Sequence, residues 1–126
     1  MINKNRDPGE MYKKEIMSLQ QLSSPHIIQL HDIIDTPTCI FLVQDILEID
    51  LFEYISIEGK IQECTIRTIF SQLLSAIKHC NCCHIVHRDI KLENILVDTK
   101  TMNIQLCDFG LATVLRDGEF QYTKCG

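Results

Sequence analysis

Basic residues are scarce in this 126-residue chain: 12 Lys and Arg stand against 17 Asp and Glu, for a net charge of -5. No basic stripe exists to neutralise phosphates, so nucleic acid is not expected as a partner. Glycine is also sparse. There are five, and no G-x-G-x-x-G that could cradle a polyphosphate. No apolar run approaches the ~18 residues that a membrane span needs, so no membrane partner is expected. The opening "MINKNRDPGE" is polar and does not read as a secretory signal. Three prolines and 6% aromatics complete the list of what is rare.

Cysteine is not rare. Cys39, Cys64, Cys80, Cys82, Cys83, Cys107 and Cys125 make an odd count, mostly inside apolar-periodic segments. Without a secretory signal they read as reduced thiols in a cytoplasmic or nuclear protein. Cys80, Cys83, His84 and His87 fall at i, i+3, i+4 and i+7, ligand types that suit zinc on one helix face. The apolar pair Ile85-Val86 argues against that face, because a short strand there would break it.

The periodicity predicts a helix from Glu10 to Leu22, with Ile16, Leu19 and Leu22 on one side. Ser23-Ser24-Pro25 stops it. "HIIQLHDII" then reads as a strand, Thr36-Pro37-Thr38 as a turn and "CIFLV" as a second, antiparallel strand. "DLFEYI" reads as a short helix. From Gln62 to Cys83 runs the strongest helix, with a stripe of Ile66, Ile69, Phe70, Leu73, Leu74 and Ile77. Short strands follow at Ile85-Val86, Ile95 to Val97 and Ile104 to Leu106, and the tail "RDGEFQYTKCG" reads as loop. The fold class is α+β.

Two polar clusters punctuate those last strands: "HRDIKLEN" (residues 87–94) and "CDFG" (residues 107–110). A hairpin of Ile95–Val97 with Ile104–Leu106 would bring Asn94 and Asp108 together, leaving Asp98 at the far turn. Asp89, Asn94 and Asp108 would then offer oxygen donors around one point, the chemistry that suits Mg²⁺. Lys91 adds a cation for developing phosphate charge. A carboxylate base, a cation and two metal ligands form a phosphoryl-transfer set.

The ordered pair "HRDIKLEN" and "DFG" resembles the catalytic loop and magnesium motif of eukaryotic protein kinases. The likeness extends over essentially the whole chain. "PHIIQLHDIIDTPTCIFLVQDILEIDLFEYI" and "DGEFQYTKCG" look like the AMP-activated and sucrose-non-fermenting branch of serine/threonine kinases. The resemblance implies ATP and Mg²⁺ as cofactors, protein substrates with Ser or Thr, regulatory subunits and an upstream activating kinase. It implies that Asp89 orients the substrate hydroxyl and accepts its proton, that Lys91 touches the γ-phosphate, and that Asn94 and Asp108 hold the metal. Glu15 matches the helix glutamate that pairs with an ATP-binding lysine. Asp45, Ile46 and Leu47 match the hinge that bonds adenine, Leu96 the apolar floor, and Asp50 the ribose contact, with one residue deleted before it. Gln44 falls at the gatekeeper, where a hydrophobic residue is more familiar. Leu19, Leu30, His87 and Phe109 match the internal spine. Arg88 would pair with phosphate on Thr123. Leu92 replaces a proline often found in this loop.

Other parts of the family pattern are missing: the glycine-rich loop, the V-A-x-K lysine and the A-P-E segment. The expectation is a partial bilobal kinase fold. Residues 1–46 would form the remnant of the small lobe, and residues 47–126 the hinge and first half of the large lobe. Met1 is expected to be an internal methionine, with a strand bearing the lysine encoded upstream and A-P-E downstream. Such a chain alone is expected to be inactive and poorly soluble. The alternatives are a non-enzymatic kinase remnant acting as a regulatory or interaction protein, and a small metal-binding module built on the Cys/His cluster.

Overall fold

A computed structural model describes residues 1–4 and 11–115. Along the chain lie β1 (Ile2–Asn3), α1 (Met11–Gln21), β2 (Leu30–Asp35), β3 (Cys39–Gln44), β4 (Ile49–Asp50), α2 (Leu51–Glu58), α3 (Glu63–Cys82), β5 (Ile85–Val86), β6 (Ile95–Asp98), β7 (Asn103–Leu106) and β8 (Thr113–Val114). They form a first sheet of order β1-β3-β2, a second of order β4-β6-β7 and a two-stranded β5-β8 ribbon. The pairings between these strands are antiparallel, and an isolated parallel bridge joins Ile27 to Leu106. The architecture is α+β, as expected.

Helix α1 buries Leu19, while Leu22, just past its end, is also buried. The expected strand from His26 begins only at Leu30. Successive strand residues face opposite sides, so Ile27 and Ile28 can both be buried only where both sides are covered. Their segment meets that need by leaving the first sheet for the second. Ile28 N donates to Leu106 O at 3.0 Å, and Leu106 N to His26 O at 2.9 Å. Strand β3 pairs with β2 as predicted, but only one face is covered: Ile40 is buried while Phe41 and Val43 are exposed. Thr36 closes the intervening turn, its N–H donating to Cys39 O at 2.9 Å.

Asp50 caps α2, its Oδ1 accepting from Glu53 N at 2.8 Å. Gly59 ends the helix at φ 66, a conformation few other residues adopt. Helix α3 does not bury the whole predicted stripe. Ile69, Ala76 and Cys80 face the core, whereas Phe70 and Leu74 are 59% and 61% exposed. The core-facing side carries a polar clamp. Gln72 Nε2 donates to Met102 O at 2.8 Å, and Gln72 Oε1 accepts from Ile104 N at 3.0 Å. That clamp holds the β6–β7 hairpin, whose register pairs Ile95 with Leu106 and Asp98 with Asn103. Val97, Ile104 and Leu106 are fully buried there. Strand β8, at a stretch to which the sequence pattern assigns no element, pairs with β5.

Candidate active site

The segment between β5 and β6 reverses through Arg88, whose φ of 68 lies in the left-handed region that L residues rarely enter. His87, just before it, is buried with its ring edge-on to Phe109, centroids 4.6 Å apart. Asp89 N donates to His87 Nδ1 at 3.2 Å, so Nδ1 is the acceptor. Nε2 therefore carries the proton and donates to Cys107 O at 2.9 Å. Burial lowers the pKa of this imidazole and favours the neutral form. His87 is thus a packing residue that orients the loop. It is not a metal ligand, and the Cys/His zinc face does not form. The helix ends at Cys82, β5 interrupts the face, and the core-facing Cys80 thiol is pushed up to about 11 by burial. Among the described residues no group of three or more His, Cys, Asp or Glu stands ready to hold a metal ion.

Asp89 Oδ2 accepts from Lys91 Nζ at 2.9 Å and from Asn94 Nδ2 at 2.9 Å, while Asn94 Nδ2 also reaches the Asp89 carbonyl at 2.8 Å. The Lys91 bond, followed by the Asn94 bond, holds the Asp89 carboxyl below its usual range. The same contact, joined by the charges of Asp89, Glu93 and Asp108, raises the pKa of Lys91. Both side chains are therefore ionised near neutrality.

The hairpin delivers Asp108 to this place. Cys107 N donates to Asn94 O at 2.9 Å, tying the strand end to the loop. Asp108 follows in the left-handed region at φ 60, its Oδ1 accepting from Gly110 N at 3.3 Å. A Cβ added at Gly110 would stand 3.2 Å from that oxygen, so the turn is tight against a larger residue. The Asp108 charge is felt at Lys91, His87 and Glu15. The donor set fits Mg²⁺. Asn94 uses its Nδ2 on Asp89, which leaves an amide oxygen, and Asp108 supplies an exposed carboxylate; both are hard oxygen donors.

Glu15, on α1, is half-buried. Burial first, and then the Asp108 charge, raises its pKa. Among the described residues no ion pair reaches it. Asp50 lies opposite Leu96 across the β4–β6 pairing, with one carboxylate oxygen already committed to the helix cap. Leu47 packs on the core, and Ile46 is 94% exposed. Gln44 pairs with Leu30 in the first sheet. Leu19 and Phe109 share the core, with Leu30 packed against it. The Asp45 N–H donates to Gln29 O at 3.3 Å, so its carbonyl is the group left for a ligand. Arg88 Nε donates to Leu111 O at 2.7 Å. Thr123 lies outside the described residues.

Sequence reasoning missed Gln72, His31 and Gln105, the last two of which bond the Asp45 carboxylate. Their only signal was a polar residue in an otherwise apolar strand or stripe, as in "IQL" and "LHDII".

The protein kinase domain family matches residues 1–126, the full chain. The chain therefore belongs to the protein kinase family. Within it, serine/threonine protein kinase OSK3 of Oryza sativa subsp. indica is 43% identical over 124 residues, covering 98% of this chain and 24% of that protein. OSK4 from the same source matches to the same extent. Sucrose non-fermenting protein kinase 1 of Fusarium virguliforme is 41% identical over 122 residues, 97% of this chain and 17% of that protein. The chain thus resembles the sucrose-non-fermenting branch of serine/threonine kinases and spans about a quarter of the length of its rice relatives. Its α+β architecture is part of the kinase fold.

Proposed function

We propose that these residues form the catalytic centre of an ATP-dependent serine/threonine protein kinase. The observation that carries the reading is the hydrogen-bonded set of Asp89, Lys91 and Asn94, with Asp108 at the end of the adjoining hairpin. Asp89, ionised and fixed by two donors, orients a substrate hydroxyl and takes its proton. Lys91 places a cation where phosphate charge develops. Asn94 and Asp108 hold Mg²⁺, which when bound neutralises phosphate charge. The main chain of Asp45 to Leu47 receives adenine, over Leu96 and beside Asp50. Residues 1–46 belong to the small lobe, and the remainder to the hinge and large lobe. Protein substrates, regulatory subunits and an upstream kinase follow from the same reading, as does a cytoplasmic or nuclear location. The 126-residue chain by itself transfers no phosphate at a useful rate, because without a glycine-rich loop and its lysine the ATP phosphates are unpositioned, and among the described residues no lysine pairs with Glu15. Radiolabelled ATP with a Ser/Thr peptide tests both parts. The longer protein should transfer phosphate and lose at least about 10³-fold with Asp89→Asn. Transfer undiminished by that change would refute the assignment, and Asp89-dependent transfer by the short chain would refute its inactivity.

Phosphate on Thr123 would pair with Arg88 and order the loop beside Asp89. In the longer protein treated with an upstream kinase, Thr123→Ala and Arg88→Ala should each remove most of the activation. Full activation of Thr123→Ala places the switch elsewhere.

A further inference from the structure

Asp45 stands between the first and second sheets and is bonded to both. Its Oδ1 lies 2.6 Å from His31 Nε2 on β2. Its Oδ2 accepts from Gln105 Nε2 on β7 at 3.0 Å and from Gln29 N at 3.3 Å. One carboxylate thus joins an element of each sheet to the connection that runs between them. These side chains line an open cleft of about 560 Å³ together with Ile46, Leu47 and Asn103.

Gln105 shows what this contact costs. A carboxylate only accepts, so the amide must turn its NH₂ group to Asp45. That orientation leaves Gln105 Oε1 buried without a donor. A buried acceptor of this kind costs about 1–3 kcal/mol, which a leucine on β7 would avoid. Core packing therefore does not account for a glutamine here, whereas a bond to Asp45 does. The three donors also hold the Asp45 carboxyl below its usual range, His31 contributing most.

We propose that His31 and Gln105 are positioning residues that act through Asp45 to hold the main chain of residues 45–47 in the form that receives a nucleotide's adenine. The inference rests on the kinase reading above. Neither sheet can rotate about residues 45–47 without breaking a bond to this carboxylate. A connection fixed in advance does not have to be ordered when the ligand arrives, and affinity gains accordingly.

The test uses the longer protein as wild type, the double variant His31→Ala/Gln105→Leu, which removes both side-chain donors to Asp45, and His31→Lys, which keeps an N–H donor there. Two readouts are taken: amide hydrogen exchange at Asp45 relative to Ala76 in α3, and the dissociation constant for Mg²⁺ with N-methylanthraniloyl-ADP. The double variant should exchange Asp45 about tenfold faster with Ala76 unchanged, and bind the nucleotide about tenfold more weakly. His31→Lys should stay within about twofold of wild type on both. Unchanged exchange at Asp45 overturns the lock. Faster exchange with equal or tighter nucleotide binding overturns the positioning role, as does equal acceleration at Ala76, which would make the residues merely structural. Absence of nucleotide binding by the wild type defeats the kinase reading, and the Asp45 exchange then decides the lock by itself.

Discussion

Glu15 is the residue whose environment fits it least. Its carboxyl is half-buried, faces the Asp108 charge and has no ion pair among the described residues, so its pKa is raised from 4.5. Below pH 4.5 Glu15 is protonated in both folded and unfolded chains and costs nothing. Between that value and the raised folded value the folded chain binds more protons, so stability falls as pH rises. Above the folded value the full cost of the buried charge remains. Glu15→Gln removes that charge while keeping the shape. It should raise the melting temperature by about 2–5 °C at pH 7 and leave it unchanged at pH 4. An equal gain at both pH values would mean that the amide acts through packing, not charge. Asp89 shows the contrast within the same site: Lys91 and Asn94 donate to it, so its ionised form is favoured. The two carboxyls are driven apart by their surroundings, Glu15 by burial and the Asp108 charge, Asp89 by the donors of Lys91 and Asn94.

At the scale of elements, the β6–β7 hairpin decides whether a site exists, because its register carries Asp108 to Asn94. Gln72 secures it from α3. Gln72→Leu would leave Ile104 N–H and Met102 C=O unpaired in the interior, at a cost of about 2–4 kcal/mol. Gln72→Glu still accepts from Ile104 N and should lose less. Unfolding in urea gives the two stabilities, and hydrogen exchange at Ile104 should accelerate more in the leucine variant. Equal loss from both would assign the effect to volume. This hairpin was legible in the sequence, since alternating burial in "ILV" and "IQL" is a local property. So were the α2 helix, from the run "DLFEYI", and the cluster of the candidate site, from residue types at fixed spacing. The segment at Ile27-Ile28 was not, because its hydrogen bonds run to Leu106, far along the chain. The outer half of the α3 stripe was not legible either. Periodicity marks an apolar face but not how much of that face another element covers. His31 and Gln105 escaped notice because a single polar residue in a strand reads as an exposed position until its cross-sheet partner is known.

For the molecule as a whole, the most consequential surface is the uncovered side of α3. Ile66, Phe70 and Leu74 follow one another at one-turn spacing, and all three are exposed. Beside them Leu51, Ile55, Ile61 and Leu92 continue an apolar cleft of about 310 Å³. Contiguous apolar surface of this kind drives self-association, since burying it against another copy removes it from water. The adjoining side of the same helix, with Ile69, Ala76 and Cys80, holds the core, so the outer and buried parts of the stripe can be separated by substitution. Phe70→Glu with Leu74→Lys places a favourable i,i+4 ion pair on the outer face and keeps two good helix formers. The melting temperature should then stay within about 2 °C of wild type, because such positions lie outside the packed core. Association measured by sedimentation at rising concentration should weaken about tenfold or more, and binding of a hydrophobic dye should fall with it. Ile69→Glu on the core face should instead unfold the chain, as a buried unpaired charge must. Undiminished association of the double variant would show that another surface is responsible, with Phe41 and Val43 on β3 the next to be changed. A steep fall in melting temperature would show that the outer face supports the fold.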